Sequence, residues 1–223
     1  MDKKLFIQAI TKFVFGFTII ALLLFIPAGT LNYWNAWLFI GILFVPMFIV
    51  GIILMIKNPD LLRKRLNAKE KESEQKAVLL LGGITFICGF VVSGLNYRFQ
   101  WIILPKGLVV VATIIFLLAY VLYAEVLREN MYLSRTVEIQ EDQKVIDTGL
   151  YGIVRHPMYS SIILLFLSMP LVLGSIFAFL IFLIYPFIMA KRIRNEEQVL
   201  EERLAGYSEY KNKVKYKVIP FIW

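Results

Sequence analysis

The chain has 223 residues, of which 59% are hydrophobic and only 18% charged, with a mean hydropathy of +0.72. Soluble domains run near 45–50% apolar and roughly 25% charged, and disordered chains are more polar still, so both classes are excluded. The net charge of +8 fits lysines and arginines gathered on one side of a membrane, against anionic lipid, more simply than it fits nucleic acid.

Positions 13 to 56, 77 to 97, 107 to 124 and 156 to 190 contain no Asp, Glu, Lys or Arg. A helix needs about 20 residues to cross the ~30 Å hydrocarbon core. The first block is therefore two crossings, 5–27 and 34–56, separated by Pro27, Gly29, Asn32 and Asn35. It is too long for the apolar core of a signal peptide and is expected to be retained. The third and fourth spans read as 77–95 and 107–127. The run from Pro157 to Ala190 is too long for one helix and short for two. Pro170 and Gly174-Ser175 at its middle predict a tight hairpin, 158–172 and 175–190. The expected fold class is all-α: a polytopic transmembrane helical bundle with five to six membrane segments, five if the hairpin is counted once. It forms a single integral-membrane domain, with an N-terminal helical pair and loop over 1–76 and a core over 77–223.

Orientation follows from the positive charges. With the N-terminus inside, the outer connections 28–33, 96–106 and 173–174 hold Arg98 and Lys106, and the other 22 of the 24 Lys and Arg face the cytoplasm. Both termini are expected to be cytoplasmic, with the plasma (inner) membrane as location. Tyr33, Trp34, Trp37, Tyr97 and Trp101 then mark the outer interface as an aromatic belt. Inside lie a mixed-charge helical loop at 57–76, expected to be solvated or in contact with headgroups, a polar connector at 128–156 and a basic tail at 191–223. Cys88, the single cysteine, excludes an intramolecular disulfide and reads as a small hydrophobe.

Polar residues beside a span are costly unless they serve a purpose, and the densest group is "DTGLYGIVRHPMYSS", Asp147 to Ser161. Gly149 and Gly152 allow a sharp turn and close approach. His156, before a proline, is biased to extended geometry, while Pro157 suits the first helical position. N–H groups at that helix start are candidates to receive a polar ligand atom. His156 is the only histidine, so no metal site is expected. A second group, "AKRIRNEEQVLEERLAGYSEYKNKV", follows the last span. On a helix Arg192 and Glu196 share a face, and Glu197 points about 100° away from Glu196. The rest reads as an amphipathic surface helix. Phosphate-binding loops, dinucleotide fingerprints, zinc-protease motifs and nucleophile elbows are absent from the sequence.

These two groups resemble the isoprenylcysteine carboxyl methyltransferase family with its prokaryotic relatives. The matching pattern is G-x-Y-x-x-x-R-H-P-x-Y, here Gly149, Tyr151, Arg155, His156, Pro157 and Tyr159. It is followed by R-x-x-x-E-E-x-x-L, here Arg192, Glu196, Glu197 and Leu200, and by G-Y-x-x-Y-x-x-x-V and I-P, here Gly206, Tyr207, Tyr210, Val214 and Ile219-Pro220. Upstream, "LNYWNAWLF", "NPDLLRKRL", "GLNYRFQW" and "LRENMYLSRTVEIQEDQKVI" also look like small prokaryotic members. The resemblance implies methyl transfer from S-adenosylmethionine, with the cofactor held at the cytoplasmic side by 128–223. Carried over, the connector supplies Gln140, Gln143, Lys144, Val145 and Ile146 to the cofactor site. The motif supplies Tyr151, His156, Pro157, Met158 and Tyr159, and the tail supplies Glu196. Arg192 resembles the arginine near the methyl acceptor. Leu150 stands where many relatives have proline, and Ser161 where many have glycine.

A sulfonium methyl needs an oriented nucleophile in line with the S–CH3 bond, so proximity and electrostatics matter more than acid–base chemistry. On that reading Glu196 holds the cofactor's amino group, Arg192 orients an acidic acceptor, and a lipophilic substrate enters sideways from the lipid bilayer. Three alternatives stay open at this point. They are a phospholipid-type N-methyltransferase, an NADPH-dependent sterol-type reductase, which the C-terminal half also resembles, and a non-enzymatic membrane protein.

Overall fold

A computed structural model describes residues 3–67, 73–133, 139–140 and 142–223. Among them it is all-helical. The order is α1 (Lys3–Ala28), α2 (Trp34–Lys57), α3 (Pro59–Leu66), α4 (Ser73–Phe99), α5 (Lys106–Glu129), a 3-10 turn (Gly149–Gly152), α6 (Pro157–Val172), α7 (Ile176–Phe182), α8 (Tyr185–Arg203) and α9 (Tyr207–Lys213). Five stretches are long and apolar enough to cross a membrane: α1, α2, the bulk of α4, α5, and α7 with α8 as one run from Ile176 to Arg203. The 16-residue α6 is shorter. The protein is thus an integral-membrane helical bundle, as its composition requires. The hairpin is present, but its second arm pauses at Leu183-Ile184 and continues well past the expected end.

Prolines do not end these helices. Pro27, Pro46 and Pro170 lie inside α1, α2 and α6, as packed neighbours in a membrane bundle allow. The turns are made by glycines in the left-handed region, Gly29 at φ +68° and Gly174 at φ +76°. Ser175 then caps α7, its Oγ accepting from the Ala178 N–H at 3.2 Å.

α1 packs along α4, α5 along α6, and α4 also meets α7 and α8. The centre is aromatic: Phe39, Phe116 and Phe182 are fully buried, with Phe90 beside them. Gly94 permits the close α1–α4 contact, since a Cβ there would lie 2.6 Å from the Leu24 carbonyl oxygen. Alternating helix directions give the bundle two ends. The crown carries the α1–α2, α4–α5 and α6–α7 turns, and the base carries α3, the connector and α9. At the crown Tyr33 departs from the aromatic-belt expectation. It is buried, and its hydroxyl donates to the Leu173 carbonyl at 2.5 Å. Trp34, Trp37 and Trp101 are exposed.

At the base, α3 is more than a solvated segment. Asn58 caps it by accepting from the Leu61 N–H at 3.1 Å, and Pro59 opens it. Leu61 and Leu62 are buried, and Leu61 joins Val126, Leu127 and Tyr151 in one apolar cluster. The tail beyond α8 also folds inward. Tyr207, Tyr210 and Val214 pack with Leu204, Val145 and Ile139 rather than lying along a surface.

Candidate active site

The connector meets the bundle at Gly149, whose φ of +50° suits a residue without a Cβ. A Cβ there would sit 2.1 Å from Glu129 Oε1. The Glu129 carboxylate accepts from Thr148 Oγ1 at 3.0 Å and from the Leu150 N–H at 3.1 Å. Proline has no N–H, so leucine at 150 adds a bond that the commoner residue cannot make. The turn delivers Tyr151 into the interior, where its hydroxyl accepts from Asn130 Nδ2 at 2.9 Å and its carbonyl accepts from the Tyr210 hydroxyl at 2.8 Å.

The next two residues lace to the tail. The N–H groups of Arg155 and His156 donate to the carbonyls of Tyr216 and Lys217 at 2.9 and 2.8 Å. The Arg155 guanidinium donates to the carbonyls of Val214 and Lys215, and its Nε to Glu197 Oε1 at 2.8 Å. His156 Nε2 lies 3.2 Å from the same oxygen, and Lys217 Nζ 2.6 Å from the other. Glu197 is therefore the buried counter-ion of the whole latch. A charge so placed is tolerated only because it is paired and hydrogen-bonded.

These elements surround a small, open-mouthed cleft of about 110 Å³. Ten residues expected at the site line it. Gln143, Lys144, Val145 and Ile146 come from the connector and Tyr151 from the turn, while His156, Met158 and Tyr159 come from the start of α6, and Arg192 and Glu196 from α8. Gln140 and Pro157 are not among the lining residues. Gln140 stands behind the wall, its amide donating to the Tyr132 carbonyl at 2.6 Å and accepting from Lys64 of α3. Pro157 is fully buried as the first residue of α6. The lining also includes Asn130, Tyr132 and Leu133 after α5, Arg155, and Leu204, Tyr207 and Tyr210 of the tail. The repeated tyrosines of G-Y-x-x-Y were the available signal for the last two.

Across the cleft floor Arg192 Nε donates to the Tyr159 hydroxyl at 2.9 Å, and that hydroxyl donates to Glu196. One tyrosine on α6 thus fixes both charged groups of α8. The helix start offers less to a ligand than expected, because the N–H groups of Tyr159 and Ser160 return to the His156 carbonyl at 3.0 and 3.2 Å. Burial pushes the Tyr151, Tyr207 and Tyr210 hydroxyls well above the usual phenol range, so all three stay protonated as donors. Among the described residues the buried Tyr207 hydroxyl has no hydrogen-bond partner. Leaving such a donor unsatisfied is costly, and a bound polar atom would relieve it. On the α3 side, Arg65 donates to the Tyr123 hydroxyl and its Nη1 lies 4.0 Å from Met158 Sδ, bringing a third guanidinium near the cleft.

A search of curated proteins matches none. Residues 108–202, which contain most of α5, the connector, α6, α7 and nearly all of α8 with its E-E motif, match the model of the isoprenylcysteine carboxyl methyltransferase family, the family that the R-H-P-x-Y and R-x-x-x-E-E motifs resemble.

Proposed function

We propose that the protein transfers a methyl group from S-adenosylmethionine to a lipophilic, membrane-resident acceptor. The reaction is an isoprenylcysteine-type carboxyl O-methylation or a close relative of it, and S-adenosylhomocysteine is the other product. What carries this reading is one cleft, lined mostly by the family-matched segment, on which both motifs converge although they are more than thirty residues apart. The lining fits the cofactor chemically. Glu196 offers a carboxylate to an ammonium group, Tyr207 an unpartnered buried donor, and Val145, Ile146 and Leu204 apolar wall to an adenine ring.

When bound, the cofactor supplies an electrophilic methyl on a sulfonium sulfur. Arg192 orients the acceptor's carboxylate, and Tyr159 holds Arg192 at a fixed distance from Glu196. A carboxylate is already a competent nucleophile, so the chain needs to move no proton. Its contribution is proximity and a preorganised charge pattern. The basic residues gathered at the base support a reading in which the cleft and both termini face the cytoplasm, with the plasma membrane as the proposed location.

Calorimetry on purified protein tests the reading. S-adenosylhomocysteine should bind and NADPH should not. Binding of NADPH with no response to either methionine-derived ligand would replace it with the reductase reading.

A further inference from the structure

We propose that the crown of the bundle, the end away from the cleft, holds one anionic phospholipid, with its phosphate against Lys106 and an acyl chain between α2 and α5. A cavity of about 530 Å³ opens there. Its deeper wall is apolar, with Leu38 from α2 and Val110 and Ile114 from α5, and its rim is polar, with Asn35, Gln100 and Lys106. That gradient matches an amphiphile.

The charge balance selects the headgroup. Residues 3–59, 75–124 and 148–195 contain no Asp or Glu at all, and every wall of this cavity comes from those stretches. Lys106 therefore meets no carboxylate from the chain at this end. It is also the first residue of α5, where the helix end adds partial positive charge and an unneutralised cation is unfavourable. Lys106 is exposed, so an anion from outside the chain can reach it. A small soluble anion would satisfy Lys106 but leave the apolar depth unfilled. A phosphate carrying a hydrocarbon chain satisfies both parts.

The cavity is closed off from the cleft at the base. Phe39 meets Phe116 edge-on at 5.9 Å, Phe116 meets Tyr120 at 5.5 Å, and the Tyr120 hydroxyl donates to the Leu43 carbonyl at 2.8 Å. The two sites are thus separate, and this assignment stands or falls independently of the cleft's chemistry.

The test is native mass spectrometry of protein released from nanodiscs of phosphatidylglycerol or of phosphatidylcholine. Wild-type protein should retain one phosphatidylglycerol and much less phosphatidylcholine. Lys106→Gln should lower phosphatidylglycerol affinity by about 1.5- to fivefold, the range of an exposed ion pair. Thr113→Phe, which fills the cavity from α5, should lower occupancy with Lys106 intact, and Lys3→Gln at the base should match wild type. Thermal unfolding confirms that each variant is folded. Equal retention of both lipids, or equal occupancy in all variants, would overturn the proposal.

Discussion

On α8 two adjacent carboxylates face different surroundings. Glu196 looks into the cleft and accepts from Tyr159, whereas Glu197 is buried beneath Arg155, His156 and Lys217. Glu196→Gln should weaken S-adenosylhomocysteine binding roughly ten- to a hundredfold, the worth of a charge-assisted hydrogen bond, and leave the melting temperature unchanged. Arg192→Ala should keep cofactor affinity within about threefold while turnover falls, since its assigned partner is the acceptor. Glu197→Gln should act on the fold, costing about 3 kcal/mol because Arg155 and Lys217 lose their buried anion and His156 a close neighbour. Paired titrations and thermal melts separate these outcomes; a Glu197→Gln variant as stable as wild type would dismiss the latch. The helical repeat told that the two side chains diverge by about 100°. It could not tell which one is buried, because the groups around Glu197 come from two distant parts of the chain, Arg155-His156 and Lys217. The helical repeat turns Glu197 away from Glu196, and its surroundings make it the more structural of the pair.

Among the elements, the long helices were legible because each is a charge-free block of membrane length, and the glycines after α1 and α6 marked real turns. Helix ends at proline were not legible, since packing keeps Pro27 and Pro170 helical. The role of α3 was hidden for another reason. Eight residues rich in charge read as solvated, yet Leu61 and Leu62 are enough to dock them once a partner surface exists. Leu61→Ala should lower stability by about 2–5 kcal/mol, in the range of buried leucine truncations. It should also loosen the contacts of Lys64 and Arg65 at the cleft rim. Gly149→Ala should be destabilising as well, because both its positive φ and the Glu129 carboxylate oppose a Cβ. Melts of the two variants check this, and an unaffected Leu61→Ala protein would mean that α3 is only loosely attached.

At the scale of the whole molecule, the charge asymmetry across the bundle makes a topological prediction. In a Cys88→Ser background, new cysteines at Ser73 and Ser208 should be shielded from an impermeant reagent in intact cells, and one at Thr30 should be labelled. Labelling of Ser208→Cys from outside would invert the protein. The cleft was legible at this scale to the extent that its residues sit in two ordered motifs. Its rear wall was not, since Tyr207 and Tyr210 reach it only because the tail turns back at Gly206, at φ +83°.

The short sixth helix has a mechanical consequence. Sixteen residues rise about 24 Å, some 6 Å less than the ~30 Å hydrocarbon core. A segment shorter than its host bilayer is accommodated by local thinning of the lipid. Since α6 begins at the cleft, such thinning would bring the water boundary down toward Tyr159 and Arg192. On the proposed reaction, an amphiphile would then present its polar end at the cleft while its tail stays dissolved in the leaflet, and the depth of the depression, rather than any extraction step, would bring acceptor and donor to the same level.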